Sequence, residues 1–334
     1  MPTIMDVAKL AGVSRTTVSR VLNDKPRVDE QTRKKVLAAI EQLNYEPSHF
    51  ARHLRKQETR LIAVLVPDIS NPFFSRLLEG MEEVALERGY KILLCITGDR
   101  KEREMQYIRM LESRQVDGII LTALRNPIDS LVPYMQFGPI VFVNEYVDGD
   151  CIPSVAIDNT ASAAMVVRHL IALGHRRIAF INGPEHIIIC RDRKAGYRKA
   201  LESIGLPVDD QLMRECDYTT EGGFRCTQQL FELADPPTAI FAANDTIAVG
   251  VIKALRRQGL QVPRQVMVAG FDNNPFSTVI EPNLTTVEQP THLMGAEAVK
   301  LLIKCLDIGR DKVKFRRILF ETKLYIRESS TASE

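Results

Sequence analysis

The first 43 residues contain three segments in which apolar residues recur at helical spacing. Their predicted apolar stripes are Met5, Val7, Ala8 and Ala11, then Val18, Val21 and Leu22, then Val36, Leu37, Ile40 and Leu43. Gly12 separates the first two helices, because only glycine enters a left-handed turn without steric cost. Ser14 can cap the second helix, whose other face is polar. This spacing predicts a helix-turn-helix followed by a third amphipathic helix.

A helix-turn-helix places the start of its second helix in the major groove of DNA. Arg15 and Thr16 open that helix, where arginine can hydrogen-bond guanine and threonine can touch the thymine methyl group. Arg20 is expected to contact a further base or a phosphate. Hydroxyl and amide side chains suited to phosphate contacts are Thr3, Ser14, Ser19 and Asn23. A surface helical hairpin that binds nothing shows the same short pattern, so the motif alone leaves both interpretations open.

From residue 61 onward, apolar runs alternate with helical segments. The run 61–66 is continuously apolar, as expected for a strand buried on both faces. Further strands are predicted at 90–96, 116–122, 139–144, 177–181, 213–218, 239–243 and 266–271. Helices are predicted at about 72–88, 100–114, 127–136, 160–173, 190–204, 221–233, 245–258 and 292–306. This repeated alternation predicts doubly wound parallel sheets in two similar lobes.

Charge and composition add to this picture. Residues 1–60 hold 12 Lys/Arg and 7 Asp/Glu, whereas the remainder carries a net charge of −3, so the basic excess lies where phosphates would be neutralised. No apolar run reaches the roughly 20 residues of a membrane span. Six cysteines without CxxC or CxxH spacing predict reduced thiols rather than a metal site or a disulfide framework. With Asp6 in its first helix, the N-terminus is not expected to be a signal peptide, and a cytoplasmic location is expected.

Several segments resemble the LacI/GalR family of bacterial transcription repressors. The segments are IMDVAKLAGVSRTTVSRVLN, TRKKVLAAIEQLNYEPS, ARHLR, PDISNPFF, VDGIIL, HLIALGHRRIAFI, AANDTIAVG, GFDN and LTTVEQP. They follow one another along essentially the whole chain. The resemblance implies an N-terminal all-α helix-turn-helix headpiece and an α/β two-lobed core like the periplasmic binding proteins. It also implies three crossovers between the lobes, near 158–162, near 288–292 and before a strand at 318–325.

The predicted domains are therefore a headpiece over 1–47, a hinge over 48–60 and an effector-binding and dimerisation core over 61–334. Because the helix at 292–306 is expected to return to the first lobe, the lobes divide the core unevenly. The first lobe is predicted at about 61–158 and 292–317, and the second at about 160–288 and 318–328.

Ligands of open α/β sheets bind at the carboxyl ends of the strands. The predicted effector-binding residues at or near such ends are Asn71, Phe73, Phe74, Asn144, Arg193, Tyr218, Asn244 and Asp272. The resemblance assigns effector contacts to Phe73, Arg193, Tyr218, Asn244 and Asp272. Asn144 departs from the family, which often has aspartate at that position. Core packing is the alternative for the two phenylalanines, and Asp245 is either a pocket residue or a helix cap.

The hinge places one leucine, Leu54, among basic residues. The resemblance implies that two hinge helices pair in the minor groove, where Leu54 wedges into a central step and kinks the DNA. Ala51 would permit their close approach, and Arg52 and Arg55 complete the predicted DNA contacts. The residues alone also fit a flexible basic linker with an incidental leucine, because an isolated segment as short as this hinge does not hold a helix in water.

Together these patterns predict a sequence-specific DNA-binding transcriptional repressor controlled by a small molecule between the lobes. A sugar, sugar acid or nucleoside is expected, and VNEYVDGDCIPSVAIDN and INGPEHIIICRDRKAGY resemble the family's cytidine-repressor branch. The alternative is a catabolite-type regulator controlled by a phosphorylated carrier protein. A homodimer is expected on a pseudo-palindromic operator, since one recognition helix reads one half-site. No catalytic residue is expected, because the chain lacks GxGxxG after the first strand, GxxxxGK[ST], GxSxG and HExxH, and an enzyme would need such motifs. No membrane partner, cofactor or metal is expected either.

Overall fold

The computed structural model describes residues 2–22, 28–45, 58–147, 152–309 and 317–331. The chain divides into two compact units, residues 1–59 and 60–334. The described helices of the first unit are α1 (Ile4–Ala11), α2 (Arg15–Leu22) and α3 (Glu30–Gln42). Thr3 and Asp6 form a capping box at the start of α1, and Gly12 ends that helix with φ 66°. The Ser14 hydroxyl accepts a hydrogen bond from the Thr17 backbone N–H at 3.1 Å, so Ser14 caps α2 as predicted.

The buried stripes of the first unit follow strict i, i+3, i+4, i+7 spacing. They comprise Ile4, Val7, Ala8 and Ala11 on α1, and Val36, Ala39, Ile40 and Leu43 on α3. The predicted inclusion of Met5 and Leu37 was wrong, because these side chains are 60% and 50% exposed. Each lies one position away from the stripe, and a rotation of 100° per residue turns it toward solvent.

The second unit contains two six-stranded sheets, one in each lobe. The strands of the first sheet are β1 (Leu61–Val66), β2 (Lys91–Ile96), β3 (Gly118–Leu121), β4 (Ile140–Val143), β5 (Ser154–Ile157) and β11 (Arg317–Phe320). Their order is β11-β5-β4-β3-β1-β2, and every neighbouring pair is parallel. The helices that accompany this sheet are α4 (Pro72–Glu87), α5 (Lys101–Glu112) and α10 (Thr291–Ile308). Alternate β1 residues enter two separate apolar clusters, so both faces of the sheet are covered.

The second sheet repeats this arrangement. Its strands are β6 (Ile178–Asn182), β7 (Met213–Glu215), β8 (Ala239–Ala242), β9 (Met267–Asp272), β10 (Thr285–Glu288) and β12 (Lys323–Tyr325). The order is β12-β10-β9-β8-β6-β7, with only the β10–β12 pair antiparallel among the described strands. The helices of this lobe are α6 (Asn159–Ala172), α7 (Ile188–Glu202), α8 (Thr220–Phe231) and α9 (Asp245–Arg257). The predicted pair of doubly wound lobes is therefore present.

Helix α10 returns to the first lobe, where it packs closely along α4. Two glycines permit the approach: a methyl group on Gly80 would collide with the His292 carbonyl, and one on Gly295 would collide with the Leu77 carbonyl. The backbones can therefore lie closer than side chains would otherwise allow. This contact joins residues that are more than 200 positions apart in sequence.

Four element predictions were wrong. The helix expected at 127–136 is two short 3₁₀ turns, Ile128–Ser130 and Val132–Gln136, because Pro133 supplies no backbone N–H. Strands β5 and β10 were missed, since their four-residue segments, SVAI and TTVE, are too short to show a periodicity. The strand expected at 213–218 ends at Glu215, because Tyr218 adopts φ 61°, which is incompatible with extended backbone.

The predicted lobe boundary at 317/318 was also wrong. Residues 317–320 pair in parallel with Ser154–Ile157 and belong to the first sheet. Only β12, from Lys323 onward, pairs with the second sheet. The third crossover therefore lies at 321–322, inside the stretch that was predicted as a single strand. Hydrophobic periodicity cannot show which sheet a strand joins.

Candidate DNA-binding face and effector cleft

The exposed face of α2 carries the predicted base-reading side chains. Arg15, Thr16 and Arg20 are exposed, whereas Val18 and Val21 on the opposite face are buried in the helical core. The Ser14 cap holds the first turn of α2, so the backbone that carries Arg15 and Thr16 is well defined. Arg15 and Thr16 are therefore presented by a rigid element, as base recognition requires.

The remaining predicted DNA contacts differ in their structural setting. Ser19 is half-buried. The Thr3 hydroxyl lies 2.7 Å from an Asp6 carboxylate oxygen, and these contacts hold the pKa of Asp6 below its ordinary value. Thr3 thus has a capping role in the protein itself. The predicted contacts that lie outside the described residues are Asn23, Ala51, Arg52, Leu54 and Arg55.

The centre of the candidate effector cleft is the Arg193 guanidinium on α7, which is 2% exposed. Its Nε donates to Asn159 Oδ1 at 2.9 Å, and its Nη1 donates to the Ala243 carbonyl at 2.5 Å. The guanidinium carbon lies 3.8 Å from the centroid of the Phe271 ring. Its Nη2 is 4.0 Å from Asp272 Oδ1. A charge so fully removed from water needs such partners, and here strands from the second sheet and the crossover after β5 supply them.

Asp272 ends β9 with φ 104°, a conformation that costs an aspartate on the order of 1–3 kcal/mol. Its Oδ1 accepts a 2.7 Å hydrogen bond from Gln289 Nε2. Burial raises the pKa of Asp272 to about 6, although Arg193 and the Gln289 hydrogen bond act in the opposite direction. Backbone strain and a buried carboxyl at one strand end are typical of a binding site rather than of a packing position.

Tyr218 forms another part of the cleft wall. Its hydroxyl and the Cys190 Sγ share a hydrogen bond of 2.8 Å. Its ring lies against Gly183, where a methyl group would collide with it. Burial raises the pKa of Tyr218 well above its ordinary value. Arg193 and Asp272 both act on this pKa, so the structure brings these three predicted residues together.

Five buried amide side chains near these strand ends each have one polar atom without a hydrogen-bond partner among the described residues. The atoms are Asn144 Oδ1, Asn159 Nδ2, Asn182 Oδ1, Asn274 Nδ2 and Gln289 Oε1. Asn159 and Gln289 have their other amide atom in the Arg193–Asp272 network, and Asn182 Nδ2 donates to the Cys190 carbonyl at 2.9 Å. Buried polar atoms are normally satisfied, so unpaired ones call for a ligand or water. Sequence reasoning missed all but Asn144. The strand-end rule indicates Asn182 and Asn274, which follow predicted strands, whereas Asn159 and Gln289 follow β5 and β10, which were not predicted.

The other predicted effector residues have structural roles. Asn71 caps α4 by accepting a hydrogen bond from the Phe73 N–H at 3.0 Å. Phe73 is buried in the core, and Phe74 meets its ring edge-to-face at 5.2 Å. Asn244 caps α9 through the Ile247 N–H at 2.8 Å.

Asp245 is neither the cap of α9 nor a group that is free for a ligand. Its two carboxylate oxygens accept hydrogen bonds from the Asn274 N–H at 2.8 Å and from the Thr286 hydroxyl at 2.6 Å. Burial, together with the charge of Asp272, raises the pKa of Asp245 well above its ordinary value. Asp245 therefore ties the loop after β9 to β10.

The first lobe contributes a buried carboxyl and a contact with the second lobe. Glu145 accepts a hydrogen bond from the Leu124 N–H at 3.1 Å, and burial raises its pKa to about 7. The next residue, Tyr146, donates from its hydroxyl to Asp192 Oδ2 on α7 at 2.7 Å. Arg317 stacks on the Tyr146 ring, with its guanidinium carbon 3.4 Å from the ring centroid. This hydrogen bond joins the end of β4 to the second lobe.

Comparisons with known proteins agree with this arrangement. Residues 3–48 match the model of bacterial regulatory proteins of the lacI family, and residues 59–328 match the model of periplasmic binding proteins and the sugar binding domain of the LacI family. The chain belongs to the LacI family of bacterial regulatory proteins. It is therefore a DNA-binding transcription regulator with an effector-binding core, and the predicted family and fold are confirmed.

Three relatives illustrate the breadth of the family. The NTD biosynthesis operon regulator NtdR of Bacillus subtilis is 38% identical over 99% of this chain and 100% of its own. The transcriptional repressor CytR of Escherichia coli K12 is 38% identical over 90% of this chain and 89% of its own. Catabolite control protein A of Priestia megaterium is 40% identical over 91% of this chain and 92% of its own.

Several solved structures match nearly the full length. The lac repressor dimer bound to operator and the anti-inducer ONPF has a TM-score of 0.86 and 29% identity, covering 99% of both chains. The complex of the transcriptional regulator CelR with cellobiose has a TM-score of 0.76 and 32% identity, covering 99% of this chain and 100% of that one. Among the described residues, no helix is long and apolar enough to cross a membrane.

Proposed function

We propose that the protein is a homodimeric repressor whose operator affinity is set by a neutral, hydroxyl-rich effector bound between the two lobes. The observation that carries this proposal is the buried Arg193–Asp272 network with its unpaired amide atoms. Sugars and nucleosides have this chemistry. The CelR complex with cellobiose supports an effector of this kind.

Charge balance favours a neutral effector over a sugar acid or a sugar phosphate. The positive charge of Arg193 already faces the carboxyl of Asp272, and Glu145 adds a second buried acid on the first lobe. Three of the five unpaired amide atoms among the described residues are acceptor oxygens. Such a site binds a ligand that donates several hydrogen bonds, since a donor is what each acceptor lacks.

A thermal-shift panel of monosaccharides, disaccharides, nucleosides, sugar acids and sugar phosphates tests this assignment. A neutral member at 100 times its Kd should stabilise the folded protein by about 2.7 kcal/mol. Arg193→Ala and Asp272→Ala should abolish the shift. Asp210→Asn, at an 83% exposed side chain on the same lobe, should retain it. A larger shift with an anionic ligand, or a shift kept by both cleft variants, would contradict the proposal.

For DNA, we propose that Arg15 and Thr16 select the half-site bases and that Arg20 and the hinge residues contribute further contacts. The exposed polar face of α2 supports this role. Leu54→Ala should weaken binding to an operator and leave effector binding intact, because only the proposed minor-groove wedge is removed. Fluorescence anisotropy measures the affinity for the operator duplex and for a duplex with a scrambled centre. Unchanged operator affinity in Leu54→Ala would refute the wedge.

We propose a dimer, which two half-sites require and which the lac repressor dimer exemplifies. Strand β2 is the edge strand of the first sheet, and Leu93, Leu94 and Ile96 on it are each more than a third exposed. An apolar edge of this kind needs a partner to avoid uncontrolled pairing. Light scattering of Leu94→Glu should show monomers, whereas Leu173→Glu, at an apolar residue of similar exposure on the second lobe, should remain dimeric.

A second candidate is regulation by a phosphorylated carrier protein, the alternative that the sequence left open. The similarity to catabolite control protein A favours it. Isothermal titration with the phosphorylated and the unphosphorylated carrier protein separates control by a carrier protein from control by a small molecule in the cleft. Binding that requires the phosphate and survives Arg193→Ala would place the control surface outside the cleft.

A further inference from the structure

Two cysteines meet beside the effector cleft without any role in the proposed function. Cys216 follows β7 and is partly exposed, whereas Cys226 is buried on α8. Both are free thiols, and each shifts the pKa of the other, so the two side chains are neighbours. Two neighbouring sulfur atoms on separate elements can be joined only if the backbone holds them at a suitable separation.

The backbone provides that separation through Gly222. A methyl group placed on Gly222 would lie 2.8 Å from the Cβ of Cys216 and 3.2 Å from its Sγ. Gly222 and Cys226 are one turn apart on the same face of α8, where Cβ positions are roughly 5–6 Å apart and side chains point toward the helix N-terminus. The Cys226 Sγ donates to the Glu215 carbonyl at 3.6 Å, so it already reaches the residue before Cys216. A disulfide needs a Cβ–Cβ distance of about 4 Å, which lies within the range that these two distances permit.

The surroundings also favour a thiolate at this pair. The hydrogen bond from Cys216 lowers the pKa of Cys226, and Arg214 and Arg225 lower it further against the effect of burial. The pKa of Cys216 is raised by the same hydrogen bond and by burial. The first ionisation therefore belongs to the pair, and the lowered pKa of Cys226 favours the negative charge on that sulfur. The basic neighbours lie at Cys226 and the partial exposure at Cys216, so the pair together has the features that distinguish redox-active cysteines from inert buried ones.

We propose that Cys216 and Cys226 form a reversible regulatory disulfide when the protein meets a hydroperoxide. With hydrogen peroxide, the Cys226 thiolate attacks one peroxide oxygen and the O–O bond breaks, which leaves a sulfenic acid on Cys226. The departing hydroxide becomes water by taking up the proton that the Cys226 thiol released when it ionised. The Cys216 sulfur then attacks the Cys226 sulfur, and the departing hydroxide takes the Cys216 proton. For hydrogen peroxide, two thiols and one peroxide give one disulfide and two waters, and a dithiol reductant reverses the change.

The consequence for regulation follows from Tyr218, two residues after Cys216. Its left-handed backbone, its ring against Gly183 and its hydrogen bond to Cys190 define one wall of the cleft. Drawing Cys216 toward α8 moves the segment that carries Tyr218, and the fit of an effector changes with it. This consequence rests on the proposed function, whereas formation of the disulfide does not.

Peptide mapping of the full-length protein tests the disulfide directly. Tryptic cleavage after Arg214, Arg225 and Lys253 places the two cysteines in separate peptides, 215–225 and 226–253. After reduction, desalting, treatment with hydrogen peroxide and blocking with N-ethylmaleimide, these peptides should be recovered as one linked species that dithiothreitol separates. Recovery of both as maleimide adducts, under conditions that oxidise other cysteines, would overturn the proposal.

Matched variants exclude incidental oxidation. Cys216→Ser and Cys226→Ser should each abolish the linked species, and Cys95→Ser, at a buried cysteine of the first lobe, should retain it. Sulfinic acid at Cys226 in Cys216→Ser but not in the wild type would show that Cys216 resolves the sulfenic acid. Equal sulfinic acid in both proteins would refute that step. The linked species is scored without DNA or effector, so its absence is distinguishable from failure of the proposed function.

Discussion

Replacing Asp272 with asparagine removes a charge that the fold holds out of water near Arg193. The side chains have nearly the same shape, and the new amide oxygen can still accept the 2.7 Å hydrogen bond from Gln289. The two proteins therefore differ chiefly in ionisation. Below about pH 3 the carboxyl is mostly neutral in both the folded and the unfolded chain, so the free energies of unfolding of the two proteins should agree to within roughly 0.5 kcal/mol.

The size of the effect at higher pH follows from the pKa. Burial raises the pKa of Asp272 from 3.8 to about 6 in the folded protein. A group with a raised folded pKa contributes stability at low pH that is lost as the pH rises through the folded value. Because a tenfold change in an ionisation equilibrium corresponds to about 1.4 kcal/mol, the wild type should lose about 3 kcal/mol relative to Asp272→Asn between pH 3 and pH 7.

Other groups around Asp272 do not reverse the direction of this change in stability. The attraction of Arg193 is already contained in the pKa of about 6. Asp245 has its own pKa raised in part by the Asp272 charge, so the substitution also relieves Asp245 and increases the difference. The expected gain in stability accompanies a loss of effector binding, as is usual where a binding site holds a strained or buried polar group.

Urea unfolding of both proteins at matched concentration across this pH range measures the difference. Matched concentration matters because dimerisation would shift both transitions by mass action. Asp210→Asn, at the exposed surface, is the control and should follow the wild type at every pH. A difference between Asp272→Asn and the wild type that does not grow with pH would show that the carboxyl is hydrated, and the assignment of the cleft centre would fail with it.

Three further predictions address other parts of the molecule. Arg15→Ala should weaken binding to the correct operator by about 1–3 kcal/mol and leave binding to non-specific DNA nearly unchanged, as measured by anisotropy on the two duplexes; an equal loss on both would indicate a phosphate contact. Tyr146→Phe removes the 2.7 Å hydrogen bond to Asp192 and should weaken effector affinity about fivefold by calorimetry, since a net hydrogen bond contributes about 1 kcal/mol; unchanged affinity would mean that the bond does not favour lobe closure. Gly295→Ala forces α10 away from the Leu77 carbonyl and should lower the free energy of unfolding in urea by about 1–3 kcal/mol. Gly309→Ala is the control: a methyl group on the exposed Gly309 would meet no heavy atom, so this variant should show only the smaller cost of a left-handed backbone.

Local rules were sufficient for the elements whose neighbours in sequence are also their partners. The helix-turn-helix follows from the apolar spacing of α1 and α2, from Gly12 and from the Ser14 cap, all within twenty residues. The continuous apolar run of β1 indicated a strand covered on both sides, and the structure covers it with two clusters. In the cleft, the strand-end rule indicated Arg193, Tyr218 and Asp272, which the fold brings together.

Tertiary structure decided what depends on contacts between distant segments. No local pattern distinguishes β11 from β12, yet one pairs with β5 and the other with β10, because register and sheet membership are set by partners far away in sequence. The same holds for the amide atoms of Asn159 and Gln289, whose unpaired state exists only once Arg193 and Asp272 have taken their other atoms. Sequence determines which groups a strand end offers. Folding determines which of those groups remain unsatisfied, because each hydrogen bond made within the protein removes one from those available to a ligand.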